Sequence, residues 1–227
     1  MIFYLLPSEK KQSSIDLIKE DYFSIWEDRD KNRFPNLNPF RREIIEDFEL
    51  NPTPLAPAWR RYKGSFWDSM EFWCLPSKVQ QDIIDKGIII SPLFGLLGVN
   101  DPIFKYNLTY EDIYKGKTLK TFWKEVLKEF TPGLLEGATI FDFITNRQRE
   151  TITFPENVQI IRFEYIRKDK KVTNPMAHRA YTIRYIAEKG ITSESLEKIN
   201  FYDYKVVDIK SEANITTVVM KGEGKYI

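Results

Sequence analysis

Five side chains in this sequence suit chemistry on an anion: Ser8, Glu9, Lys11, Asp142 and Arg179. Glu9 or Asp142 would serve as a general base, and Lys11 or Arg179 as an anion clamp. Each falls at the end of an expected strand or the start of an expected helix, where open α/β sheets gather their ligands. No nucleophile motif and no metal-ligand spacing accompanies them, so they outline a polar pocket for a nucleotide or nucleic acid, with no specific reaction attached. A solvated strand exit is the plainer reading of residues 8–11.

A second candidate is electrostatic. Between Arg147 and Arg184 nine lysines and arginines face four acids, and Arg147, Arg149, Arg179 and Arg184 are its arginine contacts for phosphate. The excess must be local. The whole chain carries a formal charge of +1 from 34 basic and 33 acidic residues, which excludes a molecule-wide positive field. The turn from Ser91 to Asp101 is a third candidate: Gly95 and Gly98 there allow backbone amides to cradle a phosphate, or simply make a tight corner. A fourth is the run from Trp59 to Trp73, where Arg60, Arg61 and Tyr62 stand beside tryptophans. Such residues stack on bases or pack a core.

Single copies of cysteine and histidine remove other classes. Cys74 forbids an intrachain disulfide and fits a reducing compartment; between Trp73 and Leu75 it is expected to be buried and inert. His178 is expected to be packed or on a helix surface. The two cannot close a zinc site, and one histidine cannot supply a 2-His-1-carboxylate iron site, so no metal and no cofactor is expected. The opening Met1–Leu6 lacks the basic flank of a signal peptide, and no apolar run reaches membrane-spanning length. A cytoplasmic monomer with no membrane partner is the expectation.

The elements that would position these groups follow from periodicity. Apolar runs at 2–6, 88–90, 138–144 and 158–165 predict strands, alternation predicts another at 103–108, and 205–209 with 215–220 predict a terminal pair. Helical spacing predicts helices over 40–50, 76–86, 118–130 and 177–188, the third stopped by Thr131-Pro132-Gly133. Ser91-Pro92 suggests a capped short helix before the glycines. Together these give an α/β fold, a mixed sheet surrounded by helices, in one domain over 1–227.

In order and spacing these stretches resemble the YaaA family of peroxide-stress-response proteins. The family's Pro-Ser-Glu-Gly-Lys looks like Pro7-Ser8-Glu9-Lys10-Lys11. Its Phe-Pro-x-Leu before paired arginines looks like Phe34-Pro35-Asn36-Leu37 before Arg41-Arg42, and its Arg-Tyr-x-Gly like Arg61-Tyr62-Lys63-Gly64. The family turn is similar to Ser91–Asp101, the Gly-Lys-x-Leu-x-x-Phe-Trp element to Gly116–Leu119 with Phe122-Trp123, and the (Asn/Asp)-Leu-x-Ser element to Asp142–Thr145. Late arginines five apart match Arg179 and Arg184.

The resemblance implies one α/β body with a helix-hairpin-helix element. It also implies a non-sequence-specific, non-catalytic DNA-binding protein of the peroxide stress response, with double-stranded DNA as partner. The implied grip combines hairpin amides at Gly95 and Gly98 with Lys11, Arg61, Lys105, Arg147, Arg149, Arg179 and Arg184. Departures fall at the hairpin. Gly98-Val99 replaces an Arg-Pro of the family and Asn107 an arginine, each loss lowering the salt slope of binding by about one unit. Lys105 is the nearby replacement.

Overall fold

The run Ile2–Pro7 forms an interior strand of a mixed sheet of nine strands in the computed structural model, which describes residues 1–26 and 32–225. In spatial order the sheet reads Asn200–Phe201, Tyr204–Glu212, Ile215–Gly222, Gln159–Arg167, Thr139–Asp142, Ile2–Pro7, Gly87–Ser91 and Gly95–Gly98. The short Lys170–Lys171 strand pairs with Gln159–Arg167. The five strands from Ile215–Gly222 to Gly87–Ser91 are parallel to one another. Tyr204–Glu212 and Gly95–Gly98 flank them antiparallel.

Burial explains the parallel block. Phe3 to Leu6, Ile88 to Ile90 and Ile140 to Phe141 are buried on both faces, as strands sandwiched between helices must be. The chain steps from Ile2–Pro7 to Gly87–Ser91 on one side through the helix Ser77–Lys86. It then returns across Ile2–Pro7 to Thr139–Asp142 through the helix Leu119–Leu135. Right-handed crossovers running in opposite directions cover opposite faces. The order therefore reverses between Ile2–Pro7 and Thr139–Asp142, so their carboxyl ends open a crevice of the kind α/β folds use for ligands.

Several elements depart from their expected bounds. The helix Leu119–Leu135, capped by Thr118 through the Thr121 amide, runs through Pro132. Thr131 and Leu135 are buried around that proline, and Thr131 Oγ1 meets Thr153 O at 2.8 Å; packing there outweighs the lost backbone bond. The strand expected over 103–108 is only Pro102–Phe104. The largest change is at Ser91. Gly87–Ser91 and Gly95–Gly98 make a β-hairpin in place of a capped helix and glycine turn, so a helix-hairpin-helix is not what these residues form.

Candidate anion-binding cleft

Asp142 ends the Thr139–Asp142 strand with its side chain fully buried. Arg149 meets it side-on, Nε to Oδ2 at 2.6 Å and Nη2 to Oδ1 at 3.0 Å. Arg162, one register step across on the neighbouring strand, adds Nε to Oδ2 at 3.1 Å, and the Ile144 amide adds a fourth donor at 3.2 Å. A carboxylate holding four donors has no lone pair left for proton abstraction. Its role is to pin two arginines at the sheet's edge.

Arg149 is delivered by the one-turn helix Asn146–Arg149. A capping box sets that turn: Thr145 Oγ1 accepts from the Gln148 amide, and Gln148 Oε1 accepts from the Thr145 amide. The same Gln148 side chain donates to Ser8 O and Ser8 Oγ at 3.2 Å, tying the turn across the crevice to the exit of Ile2–Pro7. Arg179, near the start of the helix Met176–Lys189, donates to Phe143 O and Ile144 O at 3.2 and 2.8 Å. Its Nε is buried without a hydrogen-bond partner among the described residues. Burial lowers the Arg179 pKa from the ordinary arginine value, against the pull of Tyr165 and Asp142.

These groups line an open cleft of about 860 Å³, with Arg147, Arg149, Arg162, Lys171 and Arg179 against Asp142 and Glu164. Exposed Arg147 pairs with Glu111 at 3.2 Å and Lys171 with Glu164 at 2.7 Å. The terminal nitrogens of Arg162 make no hydrogen bond among the described residues, and its side chain is 31% exposed. Five cationic donors of unequal freedom thus surround one concavity, a geometry for binding the oxygens of a phosphate.

The model of the family described as peroxide stress protein YaaA matches residues 10–209. The chain belongs to that family. No curated protein matches it at a significant level. The family's description attaches to a response to peroxide stress, and a stress-response role is consistent with it.

Within this YaaA-family chain, Arg147, Arg149, Arg179 and Asp142 of the expected contacts share the cleft. The other expected contacts lie elsewhere. Arg61 is 1% exposed and its guanidinium donates to Ile103 O, Ser13 O and Pro54 O, so it braces loops and is out of reach of a phosphate. Gly95 and Gly98 are buried in the edge strand. Gly95 has φ +68 and lies under the Trp123 ring, where an added Cβ would stand 2.6 Å from the indole. The Gly98 amide is taken by Asp101 Oδ2 at 2.8 Å, and Arg41 covers the outward carbonyls of Phe94 and Leu96. That edge is buried and covered by protein, with its Gly98 amide already bonded. Arg184 pairs with Glu71 at 2.9 Å and with Ser69 O on the Ser65–Met70 helix, and Lys105 reaches Ser14. Lys11 is exposed and absent from the cleft's lining.

Ser8 and Glu9 face a different environment from Asp142, so the pocket expected to unite Ser8, Glu9, Lys11, Asp142 and Arg179 is divided. Ser8 is half-buried at the crevice, held by Gln148 next to a buried hydroxyl network. Tyr62 and Tyr106 meet at 2.8 Å, Ser91 and Tyr106 at 3.0 Å, and the buried Tyr110 hydroxyl, beside Ser8 and Gln148, has no partner of hydrogen-bond geometry among the described residues. Glu9 packs on Gly64, and burial, then the Asp68 charge, push its pKa up to about 7. His178 is packed, its Nε2 3.1 Å from the Tyr204 hydroxyl, and burial takes its pKa down to about 4. Cys74, expected to be buried, is exposed. Among the described residues no three His, Cys, Asp or Glu side chains gather as a metal site, and no helix is long and apolar enough to cross a membrane.

Sequence reading missed Gln148 and Arg162 as site residues. Arg162 was within the counted basic run, but a strand position alternating with buried neighbours looks like any solvated arginine. Its signal was the register with Asp142, which only strand pairing supplies.

Proposed function

We propose that this chain serves the peroxide stress response by binding duplex DNA without sequence preference, through phosphate contacts in the arginine cleft. The observation that carries the reading is the buried Asp142 holding Arg149 and Arg162 beside Arg179 at one concave edge. Fixing the guanidiniums in advance reduces the side-chain entropy lost when a phosphate is bound. Contacts of this kind position a duplex and carry no base information, because guanidiniums that grip phosphate oxygens do not touch the base edges. The hairpin amides take no part.

Fluorescence anisotropy of a labelled duplex, titrated over a salt series, tests the proposal. Affinity falls steeply between about 50 and about 200 mM salt, and two unrelated sequences of equal length bind alike. Arg162→Ala lowers the salt slope by about one unit, because one phosphate contact is lost. Binding that ignores salt, or that survives Arg162→Ala and Arg179→Ala together, overturns the reading.

A further inference from the structure

The aromatic run from Trp59 to Trp73 is not absorbed by the cleft. It folds into a separate pocket of about 370 Å³ whose lining includes Trp59, Tyr62, Trp67, Phe72 and Trp73. Trp67 and Tyr62 are buried and form its floor; the Trp67 indole is fixed by donation to Pro7 O at 2.9 Å. Trp59 and Phe72 lie with ring centroids 4.8 Å apart, and the Trp59 indole is held by Asn100 at 3.3 Å. Trp73 is 72% exposed, a large apolar ring left in solvent at the mouth of a pocket. The backbone makes this happen: Glu71 at φ 45 ends the Ser65–Met70 helix, and the turn Phe72–Cys74 sends Phe72 inward and Trp73 outward.

The charges at the rim are not symmetrical. Glu71 is paired with Arg184, while Asp68 accepts from the Gly64 amide and has no cation partner among the described residues. Arg60, 5.4 Å over the Trp59 ring, and Lys63 have no carboxylate partner among the described residues. Flat rings beside two unpaired cations match a planar heteroaromatic ring joined to a phosphate. The volume suits one small ligand.

We propose that this pocket binds an unpaired nucleotide, its base stacked on Trp73 and Trp59 and its phosphate on Arg60 and Lys63. The nucleotide can be free or part of a single strand; the recognising chemistry is the same.

The test is intrinsic fluorescence of the whole chain titrated with AMP, with CMP and with a short oligothymidylate, for the wild type, Trp73→Ala and Trp73→Phe. Saturable quenching is expected in the wild type. Trp73→Ala weakens binding about tenfold or more, and Trp73→Phe restores most of it, since a phenyl ring also stacks. Quenching by mononucleotides and oligomer alike assigns free nucleotides; quenching by the oligomer alone assigns a strand. Trp73 is a surface residue, so its variants keep the fold. Arg162→Ala leaves this binding intact while reducing duplex binding, which separates the two sites. No saturable quenching by any of the three probes, or equal affinity of wild type and Trp73→Ala, overturns the proposal.

Discussion

Asp142 and Arg149 are seven residues apart in the chain and meet as a side-on pair, with two parallel N–H···O bonds to a carboxylate that solvent does not touch. The intervening residues turn back through the Thr145 capping box. The carboxylate is therefore the anchor of the cleft, and the arginines are the surface it presents. A buried ion pair of this kind contributes little net stability compared with an apolar replacement, but it is costly to break from one side.

Asp142→Ala leaves Arg149 and Arg162 facing each other without the charge between them. A loss of about 3 kcal/mol in unfolding free energy is expected, at the low end for a broken buried pair because both arginines keep some contact with water. Urea unfolding measures it. A loss below about 0.5 kcal/mol, the size of an ordinary surface change, contradicts the anchoring role.

The parallel strands were legible because buried β-branched runs such as Ile88–Ile90 look like nothing else between turn signals. Asp142, Arg149 and Arg179 were legible as candidates because strand ends and helix starts are where sheet folds expose chemistry, and the three line one cleft. What surrounds them depended on contacts distant in sequence. Gly95 reads as a phosphate turn until Trp123 is seen lying on it, and Arg61 reads as a surface cation until three carbonyls are seen around it. Cys74 departs from its expected burial for a local reason. Its neighbours are apolar, but the positive φ at Glu71 turns the segment so that only Phe72 and Leu75 go inward.

Gly95→Ala places a methyl group 2.6 Å from the Trp123 ring at a backbone φ of +68. Both crowding and the left-handed conformation oppose it, for a cost of about 2 kcal/mol or more. DNA affinity of the folded variant stays at the wild-type level, since the hairpin is buried and lies outside the arginine cleft. Calorimetric unfolding together with anisotropy checks both halves. Wild-type stability with lost binding would restore the hairpin as a phosphate cradle.

Cys74 is expected to alkylate in the native protein at a rate close to that in the urea-unfolded chain, because exposure governs access to the thiol. Timed iodoacetamide quenching followed by mass spectrometry gives both rates. Strong protection in the native state would mean that the Phe72–Cys74 turn sits differently.

Glu9 gives the fold a pH dependence of defined sign. Its carboxyl rises from the ordinary value of 4.5 to about 7, first through burial and second through the Asp68 charge. Between those values the folded chain binds the proton that the unfolded chain has released. The contribution is thus fully present below about 4.5, declines as pH rises toward 7, and is gone above it. Partial exposure keeps the effect modest. Glu9→Gln removes the titrating group, so the wild type loses thermal stability relative to this variant as pH rises from about 5 to about 8. Asp68→Asn removes one of the two causes and shifts the decline to lower pH. Parallel pH profiles for wild type and Glu9→Gln would show that the carboxyl is solvated as in the unfolded chain, and that the Gly64 contact does not shield it.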